Sequence, residues 1–172
     1  GGKLVSELLQ SDLKIDMLLA YPQWLASHPD IQGVREIVEV NEREMHTISN
    51  FQSLPEVIAL AEIPEYRYTE TEIRQSLSLV LNGIQDPGNL GTILRVADWF
   101  GIRYVFSDMD CAGAFSPKCV QASMGAVFRV KTIYTNLVGL LKKFSSPEFH
   151  CYGTFLNGEN IYKTELSAKG FI

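Results

Sequence analysis

The sequence has no apolar run long enough to span a bilayer, no cysteine pair at C-x-x-C spacing, and no excess of positive charge. The first absence excludes a transmembrane helix, which needs about 20 consecutive apolar residues. Cys111, Cys119 and Cys151 are odd in number and scattered, which argues against a disulfide framework or a structural zinc site and for reduced thiols in a cytoplasmic protein. His28, His46 and His150 lack ligand spacing, so no metal is expected. The net charge of −5 argues against a chain held on nucleic acid by a global basic field, although a local cluster can still grip phosphates. The dinucleotide fingerprint G-x-G-x-x-G and the P-loop are both absent. Nothing near Gly1 to Asp12 resembles a signal peptide.

What is present is an ordinary globular composition, 46% hydrophobic and 20% charged over 172 residues, enough for one substantial domain or two small ones. The first 63 residues read as a small alternating α/β unit. A helix over 3–10 is followed by a strand over 15–20, a short helix from Pro22, and an alternating strand over 34–40. A capping box at Asn41–Glu44 then opens a helix carrying Met45, Ile48 and Phe51, and another strand covers 57–63. Residues 64–76 are polar without apolar period and read as a solvated linker, an account preferred to one in which Tyr66, Arg67, Tyr68 and Arg74 stack on or grip nucleic acid.

From Leu77 the pattern again alternates. The centre of the chain is Leu79–Gly101: an apolar strand, a turn-rich segment through Asp86-Pro87-Gly88-Asn89, and a helix. Asn89 is expected as its N-cap, Leu90, Ile93, Leu94, Ala97 and Phe100 as its apolar face, Gly101 as its stop, and Arg95 about one turn in. Strands follow at 102–106, 127–133, 149–155 and from Phe171. Helices are expected from Ser116-Pro117 to Met124 and from Thr135 through Lys143. Asp108 and Asp110 read as part of a solvated loop. Alternation of this kind implies a mostly parallel sheet covered on both faces, with ligands bound beyond the carboxyl ends of its strands. Segments 82–91, 107–115 and 153–158 should lie at that edge.

The spacing Asp86-Pro87-x-Asn89-x-Gly91-x-Ile93-x-Arg95-x-Ala97-x-x-Phe100-Gly101 closely resembles the first motif of the SpoU/TrmH-type RNA ribose methyltransferases, of the knotted SPOUT class. Ser116-Pro117-Lys118 with Ala122-Ser123-Met124-Gly125-Ala126, and Tyr152-Gly153-Thr154 with Asn157-Gly158, resemble later segments of that family in family order. Lys3-Leu4-Val5-x-Glu7-Leu8-Leu9, Ile48-Ser49 and Ala59-x-x-Glu62-Ile63-Pro64 are similar to the N-terminal substrate-binding domain of many members.

The resemblance implies an RNA-binding domain over 1–63, a linker over 64–76, and the N-terminal part of a SPOUT domain over 77–172. It implies methyl transfer from S-adenosylmethionine to a ribose 2′-hydroxyl of rRNA or tRNA, with homodimers when full length. Arg95 and Asn89 would be catalytic. Asn89, Gly91, Arg95 and Ser123 would meet RNA, and Gly153, Thr154 and Asn157 would border the cofactor. Two later family motifs are not in this sequence, so a fragment that binds the cofactor poorly or not at all is expected. A non-catalytic RNA-binding module is the alternative reading. A nucleotide-binding α/β domain of another family is a third.

Overall fold

The structure, a computed structural model, describes residues 1–49 and 53–172; Phe51, expected on the third helix, lies outside them. The chain divides into two compact units, Gly1–Pro64 and Glu65–Ile172.

In the first unit β1 (Ile15–Ala20) is the middle strand. It pairs parallel with β2 (Val34–Glu39) and antiparallel with β3 (Val57–Ala61). Helices α1 (Gly2–Leu9) and α2 (Pro22–Ala26) supply Val5 and Trp24 to a core with Leu18, Ala20 and Val57. Helix α3 (Glu42–Ile48) opens on the expected capping box: Asn41 Oδ1 accepts the Glu44 N–H (3.0 Å) and Glu44 Oε2 accepts the Asn41 N–H (2.9 Å). Strand β3 stops short of Ile63, which is 73% exposed.

The expected linker is partly a packed element. Residues Glu70–Arg74 form α4, with a capping box between Thr69 and Glu72, and Ile73 is fully buried in the core of the second unit. Tyr68 meets Phe106 edge-on at 5.2 Å, and the Arg74 guanidinium lies over the Phe144 ring at 5.2 Å, so these two groups are engaged internally. A five-residue helix with one buried apolar side chain has no period to read, which is why this segment looks solvated in sequence.

The second unit is a five-stranded, wholly parallel sheet in the order β6-β5-β4-β8-β7. Its strands are β4 (Leu77–Leu81), β5 (Tyr104–Ser107), β6 (Lys131–Tyr134), β7 (His150–Cys151) and β8 (Gly170–Phe171). Alternation along β5 supplies both cores. Val105 faces α5 (Pro87–Trp99) and α6 (Pro117–Ser123), packing with Leu90, Leu94, Ala97 and Cys119. Tyr104 and Phe106 face the other way, with Ile73, Phe144, Phe149, Phe171 and Leu140 of α7 (Leu137–Phe144). Burial pushes the Cys119 thiol up to about 11.

Further boundaries differ from expectation. Residues 127–130 are not strand. Met124 (φ 51°) and Gly125 (φ 94°) turn the chain left-handed, and Ala126–Phe128 form a 3₁₀ turn whose Val127 is buried in the α5 core. A short apolar run reads alike for a buried strand and a buried turn. Asn136, not Thr135, caps α7, its Oδ1 accepting the Gly139 N–H at 2.9 Å. The strand expected over 149–155 is confined to His150–Cys151, and Phe155 and Leu156 are exposed. Gly170 (φ 139°) passes so close to the His150 carbonyl that a Cβ would overlap it, which lets β8 enter between β7 and β4.

Candidate functional site

The strand order reverses between β4 and β8, and in such sheets the crevice beyond the carboxyl ends at that point is the usual ligand site. The loop after β4 leads there. Gly83 (φ 68°) donates its N–H to Asp108 Oδ2 (3.0 Å), Ile84 N–H reaches Cys111 Sγ (3.2 Å), and Ala112 N–H returns to Ile84 C=O (2.8 Å). Asp108 is therefore a latch between two edge loops, not part of a solvated loop. The Cys111 thiol, followed by the Gly83 N–H, holds its carboxyl below the usual range. Tyr134 completes the lacing, its hydroxyl accepting the Ala114 N–H (2.8 Å) and donating to Ala112 C=O (2.5 Å). Among the described residues, no group of three or more His, Cys, Asp or Glu could hold a metal ion.

Helix α5 begins one step earlier than its sequence suggests. Asp86 is the N-cap, its Oδ1 accepting the Asn89 N–H at 2.9 Å, and Pro87 fills the first helical position. Proline drives the preceding residue into extended backbone, the conformation an N-cap needs, so Asp86 takes the role expected of Asn89. Lys118 Nζ of α6 pairs with Asp86 Oδ2 at 2.7 Å.

Lys118 first, then the Asn89 N–H, lowers the Asp86 pKa. A carboxyl lowered on folding contributes fully above its unfolded value, about 3.9, and loses that contribution as pH falls through the folded value. Asp86→Asn keeps a capping oxygen but loses the charge. Its melting temperature should lie below that of the wild type at neutral pH and converge on it as pH falls from about 5 towards 3. A gap unchanged across that range would contradict this assignment.

The two faces of α5 have different roles. Leu90, Gly91, Leu94 and Ala97 are buried, while Asn89, Thr92, Arg95, Val96 and Trp99 are exposed. Phe100, expected on the apolar face, is 74% exposed. Gly101 (φ 71°) ends the helix, and the Ile102 N–H closes back on Ala97 C=O at 2.8 Å, turning Phe100 away from the core. Arg95 lies six residues beyond Asn89, about 9 Å along the axis and about 120° around it. It is thus two turns from the helix N-terminus rather than one. Among the described residues it makes no hydrogen bond, ion pair or ring contact.

Gly91 and Ser123 sit inside the α5–α6 contact. A Cβ on Gly91 would stand 2.7 Å from both Ala122 Cβ and Cys119 O. Ser123 is 1% exposed and its hydroxyl donates to Val120 C=O at 2.9 Å. Packing accounts for both, whereas Asn89 and Arg95 are presented to solvent.

A second concavity, a cleft of about 600 Å³, opens past the carboxyl ends of β7 and β8. Gly153 and Thr154 line it together with Leu77, Leu166, Ser167 and Ile172; Asn157 does not. Tyr152 holds its wall, the hydroxyl accepting the Ser167 N–H (2.7 Å) and the backbone N–H reaching Phe171 C=O (2.8 Å). Leu77, Leu166 and Ile172 come from three separated segments and carry no local signal that would have identified them.

The model of the SpoU rRNA Methylase family matches residues 76–172. The chain is 33% identical over 146 residues to rRNA methyltransferase 3, mitochondrial, of Xenopus laevis, an alignment covering 77% of this chain and 33% of that protein. It is 23% identical over 171 residues to the 23S rRNA (guanosine(2553)-2'-O)-methyltransferase RlmP of Bacillus subtilis, covering 99% and 67%. The chain thus spans about a third of the length of the vertebrate mitochondrial relatives it matches. Among solved structures, a protein of the TrmH family from Porphyromonas gingivalis superposes with a TM-score of 0.86 at 36% identity, covering 99% of this chain and 68% of that one. An AdoMet-bound rRNA methyltransferase of Sinorhizobium meliloti gives 0.60 at 28% identity, covering 83% and 54%.

Proposed function

Because the chain belongs to the SpoU rRNA methylase family, we propose that it is part of an enzyme that methylates a ribose 2′-hydroxyl of rRNA or tRNA with S-adenosylmethionine. The single observation that carries the reading is the α5 arrangement. Asn89 and Arg95 of the family motif stand exposed on a helix whose other face is packed against α6 and β5. The 2′-hydroxyl as target is supported by the name of the Bacillus subtilis relative, and the cofactor by the AdoMet-bound structural relative. The cleft fits an adenosine in size and chemistry: about 600 Å³, apolar walls at Leu77, Leu166 and Ile172, and polar groups at Thr154 and Ser167. Gly153 and Thr154 would hold the cofactor there.

Bound S-adenosylmethionine supplies an electrophilic methyl group. The remaining requirements are to align the ribose oxygen with that methyl and to let its proton leave. Arg95 is a poor base, because a guanidinium stays protonated at any physiological pH. It serves instead as a forked clamp on the RNA phosphate, positioning the hydroxyl and offsetting developing negative charge. Asn89 offers an amide that can both donate and accept toward the same strand. The first unit would bind RNA, and Val96 and Trp99, 50% and 85% exposed beside Arg95, would face a second copy in a homodimer. The free cysteines fit a reducing cytoplasm.

The test is a calorimetric titration of S-adenosylmethionine into residues 1–172 and into the full-length gene product, followed by transfer of labelled methyl to ribosomal RNA. Binding and transfer by the full-length protein are expected. Binding by neither would overturn the enzyme reading in favour of an RNA-binding module.

A further inference from the structure

The Arg95 reading requires a guanidinium free to meet RNA, and the helix itself places a competitor beside it. Asp98 is three residues on, about 60° around the axis, where Arg–Asp pairs form readily on helix surfaces. Asp98 is instead taken by Arg129, which follows the 3₁₀ turn after α6. Arg129 Nε donates to Asp98 Oδ1 (3.1 Å) and Oδ2 (3.0 Å), and its Nη2 donates to Oδ2 (2.8 Å). The side chains are 45% and 27% exposed, so the pair is partly sheltered and forked, the geometry in which an arginine–carboxylate pair is strongest. Both oxygens of Asp98 are occupied, while Arg95 has no partner among the described residues.

We infer that Arg129 is a positioning residue: by holding Asp98 in a forked ion pair it keeps that carboxylate from capturing Arg95 and screens its charge from the RNA phosphate that Arg95 is to meet. The inference rests on the proposed role of Arg95 and deepens it. Without Arg129, two things change together. Asp98 becomes an intrahelical competitor for the guanidinium, and an uncompensated negative charge is left where a phosphate must approach.

The experiment uses the full-length gene product, ribosomal RNA as probe, and four variants: Arg129→Gln, Asp98→Asn, the double variant, and Arg95→Ala. Arg129→Gln should weaken RNA affinity about fivefold, the combined effect of an i,i+3 competitor and an unpaired charge. Asp98→Asn alone should keep wild-type affinity. The double variant should return to within about twofold of wild type although it lacks the ion pair altogether. Melting temperatures make the rescue diagnostic, because both variants lacking Arg129 should melt alike, so recovered affinity cannot come from recovered stability. In the Arg95→Ala background, Arg129→Gln should have a smaller effect, because capture of Arg95 is no longer possible and only the unpaired Asp98 charge remains.

A double variant as weak as Arg129→Gln would overturn the inference and make Arg129 a direct RNA contact or a plain structural clamp. Unchanged affinity in Arg129→Gln would overturn it as well. If Arg95→Ala itself bound and methylated RNA normally, the reading of Arg95 would fall and this inference with it. A defective Arg95→Ala beside an unrescued double variant would remove the inference alone.

Discussion

Arg95→Ala in the full-length gene product is expected to lower methyl transfer to ribosomal RNA at least a hundredfold, with melting temperature unchanged. The stability expectation follows from its surroundings: Arg95 is exposed and makes no hydrogen bond, ion pair or ring contact among the described residues, so its removal orphans no partner. The activity expectation follows from the role proposed for it. Losing one group that positions the attacking oxygen and balances developing charge typically costs 10²–10³ in rate, about 2.7–4 kcal/mol. Arg95→Lys should fall between, since an ammonium keeps the charge but not the planar fork. Single-turnover kinetics on both variants, with cofactor affinity measured alongside, would check this. Near-normal turnover by Arg95→Ala would remove the phosphate clamp and any proton-accepting role for Arg95 together.

The second large effect concerns the opposite face of the same helix. Gly91→Ala should destabilise the protein by about 2 kcal/mol, although alanine is the better helix former by about 1 kcal/mol. The new methyl would meet Ala122 Cβ and Cys119 O at 2.7 Å and Ser123 N at 2.9 Å. Two of those three atoms are backbone of α6 and cannot rotate aside, so α5 and α6 must separate, and such overpacking costs about 1–3 kcal/mol beyond the helix gain. For a unit of this size the melting temperature should drop by about 10 °C.

Gly139, in α7, supplies the opposite sign. A Cβ there meets nothing closer than Asn136 Oδ1 at 3.6 Å, so Gly139→Ala should stabilise the protein by up to about 1 kcal/mol. Urea unfolding of both variants tests the pair. If Gly91→Ala were as stable as the wild type, the close approach of the two helices would have no structural weight. Separation of α5 from α6 would also shift the platform that carries Asn89 and Arg95, so loss of transfer should accompany loss of stability in this variant.

Residues 79–101 combine signals that act locally with others that act only across the fold. Strand, turn and helix were legible because their signals are local: an apolar run, an Asp-Pro turn, a 3.6-residue period and a terminal glycine each act within a few residues. Within that same stretch Asp86, not Asn89, is the cap, because the effect of Pro87 on Asp86 and the pull of Lys118, 32 residues away, both favour the earlier residue. Gly91 carried the motif resemblance, but its burial against α6 was invisible until the second helix was in place. Residues 64–76 conceal α4 for a related reason. Ile73 is one apolar residue in a polar run, and only the aromatic face of β5 makes it a core residue.

By itself the sequence determined the alternation of strands and helices, the motif that identifies the family, and which residues of α5 belong to that motif. These follow from side-chain periodicity and from the backbone preferences of Pro, Gly, Asp and Asn, which need no distant partner. Only the tertiary structure decided which motif residues are presented and which are packed away. It also decided that Asp108 fastens one edge loop to another, and that Arg129, 31 residues from Asp98 in the chain, occupies the carboxylate nearest Arg95 on its helix. The reason is physical: these are contacts between segments far apart in sequence, and their energies exist only once the sheet has brought the segments together.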